Sequence, residues 1–415
     1  MNFSVHPDYN NPKGWLNMEN KKSFIKGALL GALIMLLISV IVSLGWRAVY
    51  GKRDTDGSAS AVSFSEAESK LKVLSDIIDS DYLYQDDIDK EALLDGIYAG
   101  YVSGLGDPYT EYYNEEQTKE LMESISGEFS GIGASLTQDL DTGIITISEM
   151  YEDSPAEKAG LKVGDILYQV DDREIGSEDL NEVVSWVKGE EGTEVTLHVY
   201  RGDEGEEVSC TAVRAEIEAQ TVSYEMKEGQ IGYIRVSEFE TVTYEQFKTA
   251  LDDLEANGMQ GLVIDLRGNP GGDLDTVTDM LRLLLPKGVI VSTKDRDGNV
   301  EEEVNEEDHT FQKPLAVLIN GSSASASEVF AGAIQDYGVG QLVGTTSYGK
   351  GVVQFLMDLE DGTSMKITSQ EYFTPNGRNI HGTGITPDIE VEYEADPADE
   401  TADNQLEKAL EAVRG

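Results

Sequence analysis

Five apolar residues, Leu315-Ala-Val-Leu-Ile319, run into the small-residue stretch Asn320-Gly-Ser-Ser-Ala-Ser325 and then into a helical pattern from Ala326. A short apolar run followed by a helix dictates a β–α unit, with a tight corner between them. A serine at that corner has its hydroxyl at a helix N-terminus, where unpaired N–H groups and the dipole favour developing negative charge. That placement suits an acyl-transfer nucleophile with an oxyanion site beside it. The ordinary reading is a helix cap, because Ser325 and Glu328 also form a Ser-x-x-Glu capping box. The second half of the stretch adds chemistry. Lys350 lies between Gly349 and Gly351 and leads into Val352-Val-Gln-Phe-Leu356. In an extended strand, residues 350, 352 and 354 share a face, so Lys350 and Gln354 are expected as neighbours. Burial at such a position lowers a lysine pKa and makes the neutral amine available as a base.

Together with Asp265-Leu-Arg-Gly-Asn-Pro-Gly-Gly272 upstream, the stretches Asn320–Glu328 and Gly349–Gln354 resemble the carboxyl-terminal processing serine peptidases, also called tail-specific proteases. The resemblance covers roughly residues 64 to 392. It implies Ser325 as nucleophile, Lys350 as general base and Gln354 as the residue that orients the lysine. On the residues alone Ser322, Ser323 and Ser327 remain rivals; the family places its nucleophile three residues before the glutamate.

The formal charge of -48 disfavours any nucleic-acid partner. Cys210 is the single cysteine, so no internal disulfide is possible, and a small apolar role in a strand is expected for it. No HExxH, CxxC or paired His/Cys spacing occurs, so neither a metal nor another cofactor is expected.

In chain order, residues 1–27 are polar, with Lys13, Lys21, Lys22 and Lys26. From Ala28 to Trp46 no residue is charged, and a helix of that length spans about 28 Å, close to a bilayer core. A cleaved signal has a shorter apolar core of about 7–15 residues, so a retained transmembrane anchor over 28–46 is expected. Charges flank both its ends; the resemblance implies a cytoplasmic N-terminus with the bulk outside, at the cell membrane. Residues 47–63 read as a linker. An N-terminal helical region follows over 64–125, with Leu71, Leu74, Ile77 and Ile78 at helical spacing in a first helix, and Leu93, Leu94, Ile97 and Tyr101 in a second, where they are expected to be buried. In relatives such a region packs on the core or pairs subunits, which implies a possible homodimer.

Residues 126–203 resemble a PDZ domain, on Ser154-Pro-Ala through Ala159-Gly-Leu to Gly164-Asp165. PDZ domains take an extended peptide by strand addition and hold its terminal carboxylate on backbone N–H groups. The resemblance places that carboxylate at Gly131, Ile132, Gly133 and Ala134; a turn that only needs glycine flexibility is the plainer alternative. Relatives often carry a basic residue before the Gly-x-x-Gly-Thr turn, here Lys188, a candidate for coupling peptide binding to the catalytic site. Residues 204–392 alternate strands and helices, which implies an α/β core with a mixed, largely parallel sheet and its site at the strand C-terminal ends. The expected fold is therefore that core, an inserted PDZ-like β-rich domain, an N-terminal helical region and one transmembrane helix. Asp295 to His309 reads as a solvated acidic hairpin or flap without chemistry, and 393–415 as an acidic tail with a short helix near Gln405 to Val413.

Arg267-Gly-Asn-Pro-Gly-Gly272 fits no phosphate-binding fingerprint. Its backbone can instead supply an oxyanion hole, from Gly271 or Gly272 together with the Ala326 N–H, while Arg267 and Asp265 read as loop-ordering ion partners. A Ser-His-Asp triad is the rival mechanism. Of His6, His198, His309 and His381, only His381 could reach the core, and no orienting acid stands near it in sequence. The expected function is a membrane-anchored serine endopeptidase that recruits polypeptides by their C-termini. A catalytically inert PDZ scaffold and a small-substrate esterase or amidase are the alternatives.

Overall fold

The protein is described by a computed structural model covering residues 63–414 apart from 141, 152, 177, 203–204, 309 and 396–401. The chain divides into two units at Asp89/Lys90. In the first, α1 (Phe64–Asp81) is capped by Ser63, whose hydroxyl accepts the Glu66 N–H, and a single helical turn follows at Gln85–Asp87. The expected anchor at 28–46 lies outside the described residues. Among the described residues, no helix is long and apolar enough to cross a membrane.

The second unit opens with α2 (Lys90–Ser103), β1 (Glu111–Tyr113) and α3 (Glu115–Ser126). Here the structure corrects the sequence reading. Leu93, Leu94, Ile97 and Tyr101 of α2 are all exposed, and α2 buries only Val102. Three-and-four spacing identifies an apolar helix face but carries no information about what covers it.

A β-rich module follows: β2 (Glu128–Gly131), β3 (Ala134–Gln138), β4 (Ile145–Met150), α4 (Pro155–Ala159), β5 (Ile166–Val170), β6 (Arg173–Glu174), α5 (Leu180–Val187), β7 (Glu194–Arg201) and β8 (Glu206–Val213). The sheet order is β3-β4-β5-β7-β8, with β6 on β5, so β3 forms an edge. Ser154 caps α4 ahead of Pro155, and Gly160 ends it in the left-handed conformation, as their residue types favour. The module runs past the expected boundary at 203. β8 pairs with β7 along its whole length and turns Cys210 and Ala212 into the core. β7 and β8 are thus adjacent antiparallel strands of one sheet, and no domain junction falls between them.

The core then builds up through β9 (Ala215–Glu218), β10 (Val222–Lys227), β11 (Ile231–Val236), α6 (Thr243–Ala256), β12 (Gly261–Asp265), α7 (Leu274–Arg282), β13 (Gly288–Asp295), β14 (Val300–Asn305), β15 (Leu315–Ile319), α8 (Ala326–Tyr337), β16 (Gln341–Gly344), β17 (Val352–Asp358), β18 (Ser364–Phe373), β19 (Ile389–Glu390) and α9 (Asn404–Arg414). One sheet has the order β10-β11-β12-β15-β16-β19, antiparallel only at β10–β11. β12 and β15 are buried along their whole length, which is why they read as unbroken apolar runs. Helices α6, α7 and α8 cover one face, where Phe247, Leu254, Met280 and Phe330 pack. The other face is covered by α9 through Ala409 and Val413. The short helix expected near Gln405 to Val413 is thus present as α9, and it packs into the core. A second, antiparallel sheet joins β1, β18, β13 and β14, with β17 on β18. It brings the strand after Lys350 and the segment before the β-rich module onto the same surface. The acidic insertion is the β13–β14 hairpin, as expected, although Glu301, Glu302 and Glu303 of β14 line the cleft described next.

Candidate active site

α8 begins at Ala326, and Ser325 takes the corner with φ 53° and ψ -115°. Positive φ strains a residue with a Cβ and at a site of chemistry often serves to aim its side chain. The Ser325 hydroxyl makes no cap hydrogen bond. Its backbone is held instead: the N–H donates to Glu328 Oε2 at 2.9 Å, and the carbonyl accepts the Glu328 N–H, the Val329 N–H and the Tyr372 hydroxyl. The hydroxyl opens onto a cleft of about 550 Å³ that is also lined by Gly272, Ala326, Lys350, Gln354 and Lys366. The rival serines are engaged elsewhere. Ser323 and Ser327 are fully buried and donate to the carbonyls of Leu266 and Asn269, and Ser322 is exposed outside the cleft.

Glu328 does more than the capping box foretold. It is fully buried, and donors converge on both of its oxygens. Oε1 accepts the Ser347 hydroxyl at 2.5 Å and the Gly349 N–H at 2.7 Å; Oε2 accepts the Lys350 N–H at 2.8 Å as well as the Ser325 N–H. One carboxylate thus ties the serine corner to the lysine loop. The local spacing showed the Ser325 half of this arrangement, and nothing nearby in sequence marks the other half.

The loop after β12 lies against the corner. A Cβ on Gly271 would come within 2.8 Å of Ser325 Cβ and 3.0 Å of the Ala326 nitrogen, so only glycine permits this approach. Asn269, fully buried, accepts the Gly271 N–H on its side chain at 2.8 Å. That N–H is therefore committed, whereas Gly272 lines the cleft beside Ala326, whose N–H sits in the first turn of α8 and lacks an intrahelical partner. Asp265 and Arg267 are ion partners, and Arg267 also binds Asp403 just before α9.

Lys350 precedes β17 rather than lying in it, and a bulge between Val353 and Gln354 breaks the alternation that the strand reading assumed. Both side chains nevertheless reach the same cleft. Gln354 Nε2 donates to Thr368 Oγ1 at 3.2 Å. Lys350 Nζ stands 4.7 Å above the centre of the Tyr109 ring, a neighbour the sequence reading missed. Burial holds the Lys350 amine below the usual lysine range and the Lys366 ammonium lowers it further; Asp107, Glu111 and Glu328 pull the other way. His381 Nδ1 accepts the Gly351 N–H, and His381 does not line the cleft; His198 pairs with Ser209 on the β-rich module, as a packing residue would.

A carboxyl of a different kind lines the cleft at Glu240. Burial first, and the Glu238 carboxylate second, push it up to about 7, and its Oε2 is buried without a hydrogen-bond partner. Its pKa is raised from about 4.3 in the unfolded chain, so the stability it contributes is present below about pH 4 and lost as the pH rises through 7. Glu240→Gln should therefore raise the melting temperature by about 2–4 °C at pH 8, with the difference closing below pH 5, as calorimetry at the two pH values would show.

In the β-rich module, Gly131–Ala134 forms the crossing from β2 to the edge strand β3. Ile132 is buried and its carbonyl accepts the Ala156 N–H, while Gly133 stands against Ser154 too closely for a Cβ. Lys188 ends α5, pairs with Glu123 of α3 at 3.0 Å and lies over the Phe129 ring. It does not line the cleft, but α3 does, through Leu121, Ser124 and Ile125.

Comparison with known proteins shows the family. Residues 230–391 match peptidase family S41, and residues 146–201 match the PDZ domain. The "Probable CtpA-like serine protease" of Staphylococcus aureus (strain N315) is 37% identical over 329 residues, 78% of this chain and 64% of that protein. The chain thus spans just under two thirds of the length of that staphylococcal relative. The "Carboxy-terminal processing protease CtpA" of Bacillus subtilis (strain 168) is 35% identical over 360 residues, 86% of this chain and 76% of that protein. Among solved structures, "Putative S41 protease from Bacteroides fragilis NCTC 9343" superposes with a TM-score of 0.51 at 17% identity, over 86% of this chain and 99% of that one, a likeness of fold. With a PDZ domain, an S41 core and this identity to a Bacillus processing protease, the chain belongs to the carboxy-terminal processing serine proteases of peptidase family S41.

Proposed function

We propose that the protein is a membrane-anchored serine endopeptidase that cuts polypeptides recruited by their C-termini, with Ser325 as nucleophile and Lys350 as base. One observation carries the reading. Of the serines in the Asn320–Glu328 stretch, Ser325 alone opens onto the cleft, and it shares that cleft with a lysine whose pKa burial depresses. In this scheme the neutral Lys350 amine takes the Ser325 proton as Oγ attacks the scissile carbonyl. The N–H groups of Gly272 and Ala326 hold the tetrahedral oxyanion. Lys350 then passes the proton to the leaving amine and activates the water that hydrolyses the acyl-enzyme. Gln354 helps to orient the amine.

The open edge of β3 supports strand addition of a substrate tail, with its carboxylate at Gly131–Ala134. Lys188, bridging the PDZ module to α3 beside the cleft, couples tail binding to the site. The uncharged run 28–46 is the anchor, with the N-terminus cytoplasmic and the peptidase outside. The exposed apolar face of α2 supports a homodimer. An unstructured polypeptide offered with a free or an amidated C-terminus tests the whole reading. The free form should be cut at least about tenfold more efficiently, since losing the terminal charge removes a charge-assisted contact, and Ser325→Ala should cut neither. Equal turnover of the two forms would reject PDZ recruitment, and retained cleavage by Ser325→Ala would reject the nucleophile.

A further inference from the structure

The segment before β1 reaches the lysine in a way that the Ser325–Lys350 scheme leaves unused. Asp107 folds Asp107-Pro-Tyr-Thr110 into a turn, accepting the Tyr109 N–H at 3.1 Å and the Thr110 hydroxyl at 2.6 Å. Thr110, itself buried, accepts the Thr368 N–H on its hydroxyl at 3.1 Å, and Thr368 in turn accepts the Gln354 amide. The turn is thereby fastened to β18 beside the lysine loop, and it sets the Tyr109 ring under Lys350 Nζ. An aromatic face attracts a cation and has no comparable attraction for a neutral amine.

We propose that Tyr109 is a positioning residue that holds the protonated form of Lys350, so that the amine leaves the ring for Ser325 when it loses its proton. This rests on Lys350 being the base. The other charged groups facing the amine are Lys366 from β18, Asp107 from the turn, Glu111 from β1 and Glu328 from α8. Burial and the adjoining Tyr348 phenol hold the Tyr109 phenol above its usual range, so the ring acts as a neutral π face across the working pH range.

The test is the pH dependence of kcat/KM for wild type, Tyr109→Phe and Tyr109→Leu on an unstructured polypeptide. Leucine keeps the amine buried and removes the ring face. Its acid limb should move about half a pH unit toward acid, with a gain of about threefold in kcat/KM below the limb. Phenylalanine keeps the face and should keep the wild-type limb. A fluorinated phenylalanine at position 109 keeps the ring's shape and weakens its negative face, and should give part of the leucine shift even if leucine disturbs folding. An unmoved limb in both the leucine and fluorinated variants, or an equal move in Tyr109→Phe, overturns the role of Tyr109. Lys350→Met, measured alongside, separates the two claims. Its inactivity with an unmoved Tyr109→Leu limb condemns only Tyr109, whereas its retained activity condemns the base.

Discussion

Lys350→Met is expected to lower kcat/KM about 10²- to 10⁴-fold, the range that a positioned general base contributes, without lowering the melting temperature. Methionine keeps the unbranched apolar stem and removes a charge that burial already disfavours, so the fold loses little. Lys350→Arg sharpens the result. Arginine keeps the positive charge but cannot give up its proton in a protein, so it should be as inactive as methionine if the neutral amine does the work. Kinetics on an unstructured polypeptide, with a thermal melt of each variant, decides between a base and a mere counter-charge. An active arginine variant would point to electrostatic stabilisation instead.

The second large effect is expected at Glu328. Its two oxygens accept four donors, from Ser325, Ser347, Gly349 and Lys350. Glu328→Gln turns one oxygen into an NH₂ group, which then faces N–H or O–H donors that it cannot accept. Two buried charge-assisted bonds are lost, each worth about 1.5–3 kcal/mol. The melting temperature should fall by about 10 °C, and kcat by about 100-fold with KM changed far less, because displacement of reacting groups costs the chemical step. A variant that melts early but retains wild-type kcat at low temperature would make Glu328 a structural brace only.

Much of this site was legible because its signals are local. The change from the Leu315–Ile319 strand to the Ala326 helix sits within a dozen residues, and α8 starts at the expected residue. The apolar runs at 261–266 and 315–319 revealed buried parallel strands for the same reason. What escaped depends on partners distant in sequence. Glu328 looked like half of a capping box, since the N–H groups of Gly349 and Lys350 approach it only through the tertiary fold. Tyr109 sat in a helix-breaking Gly-Asp-Pro segment whose pairing with β18 has no local mark. The closing helix was legible: Leu406, Ala409, Leu410 and Val413 recur at three and four, and the short helix expected near Gln405 to Val413 is present as α9, although nothing local marked the sheet face that it covers. At α2 the same periodicity marked a face, with Leu93, Leu94, Ile97 and Tyr101, that is exposed.

The most direct measurement is the rate at which a fluorophosphonate labels the protein, followed by mass spectrometry across pH. With Lys350 as the base, one adduct forms, on Ser325, at a rate that rises with a single ionisation below the free lysine value of about 10.4, and Lys350→Met abolishes it. Labelling of a different serine, or a rate indifferent to both pH and Lys350, would contradict the pairing of Ser325 with Lys350.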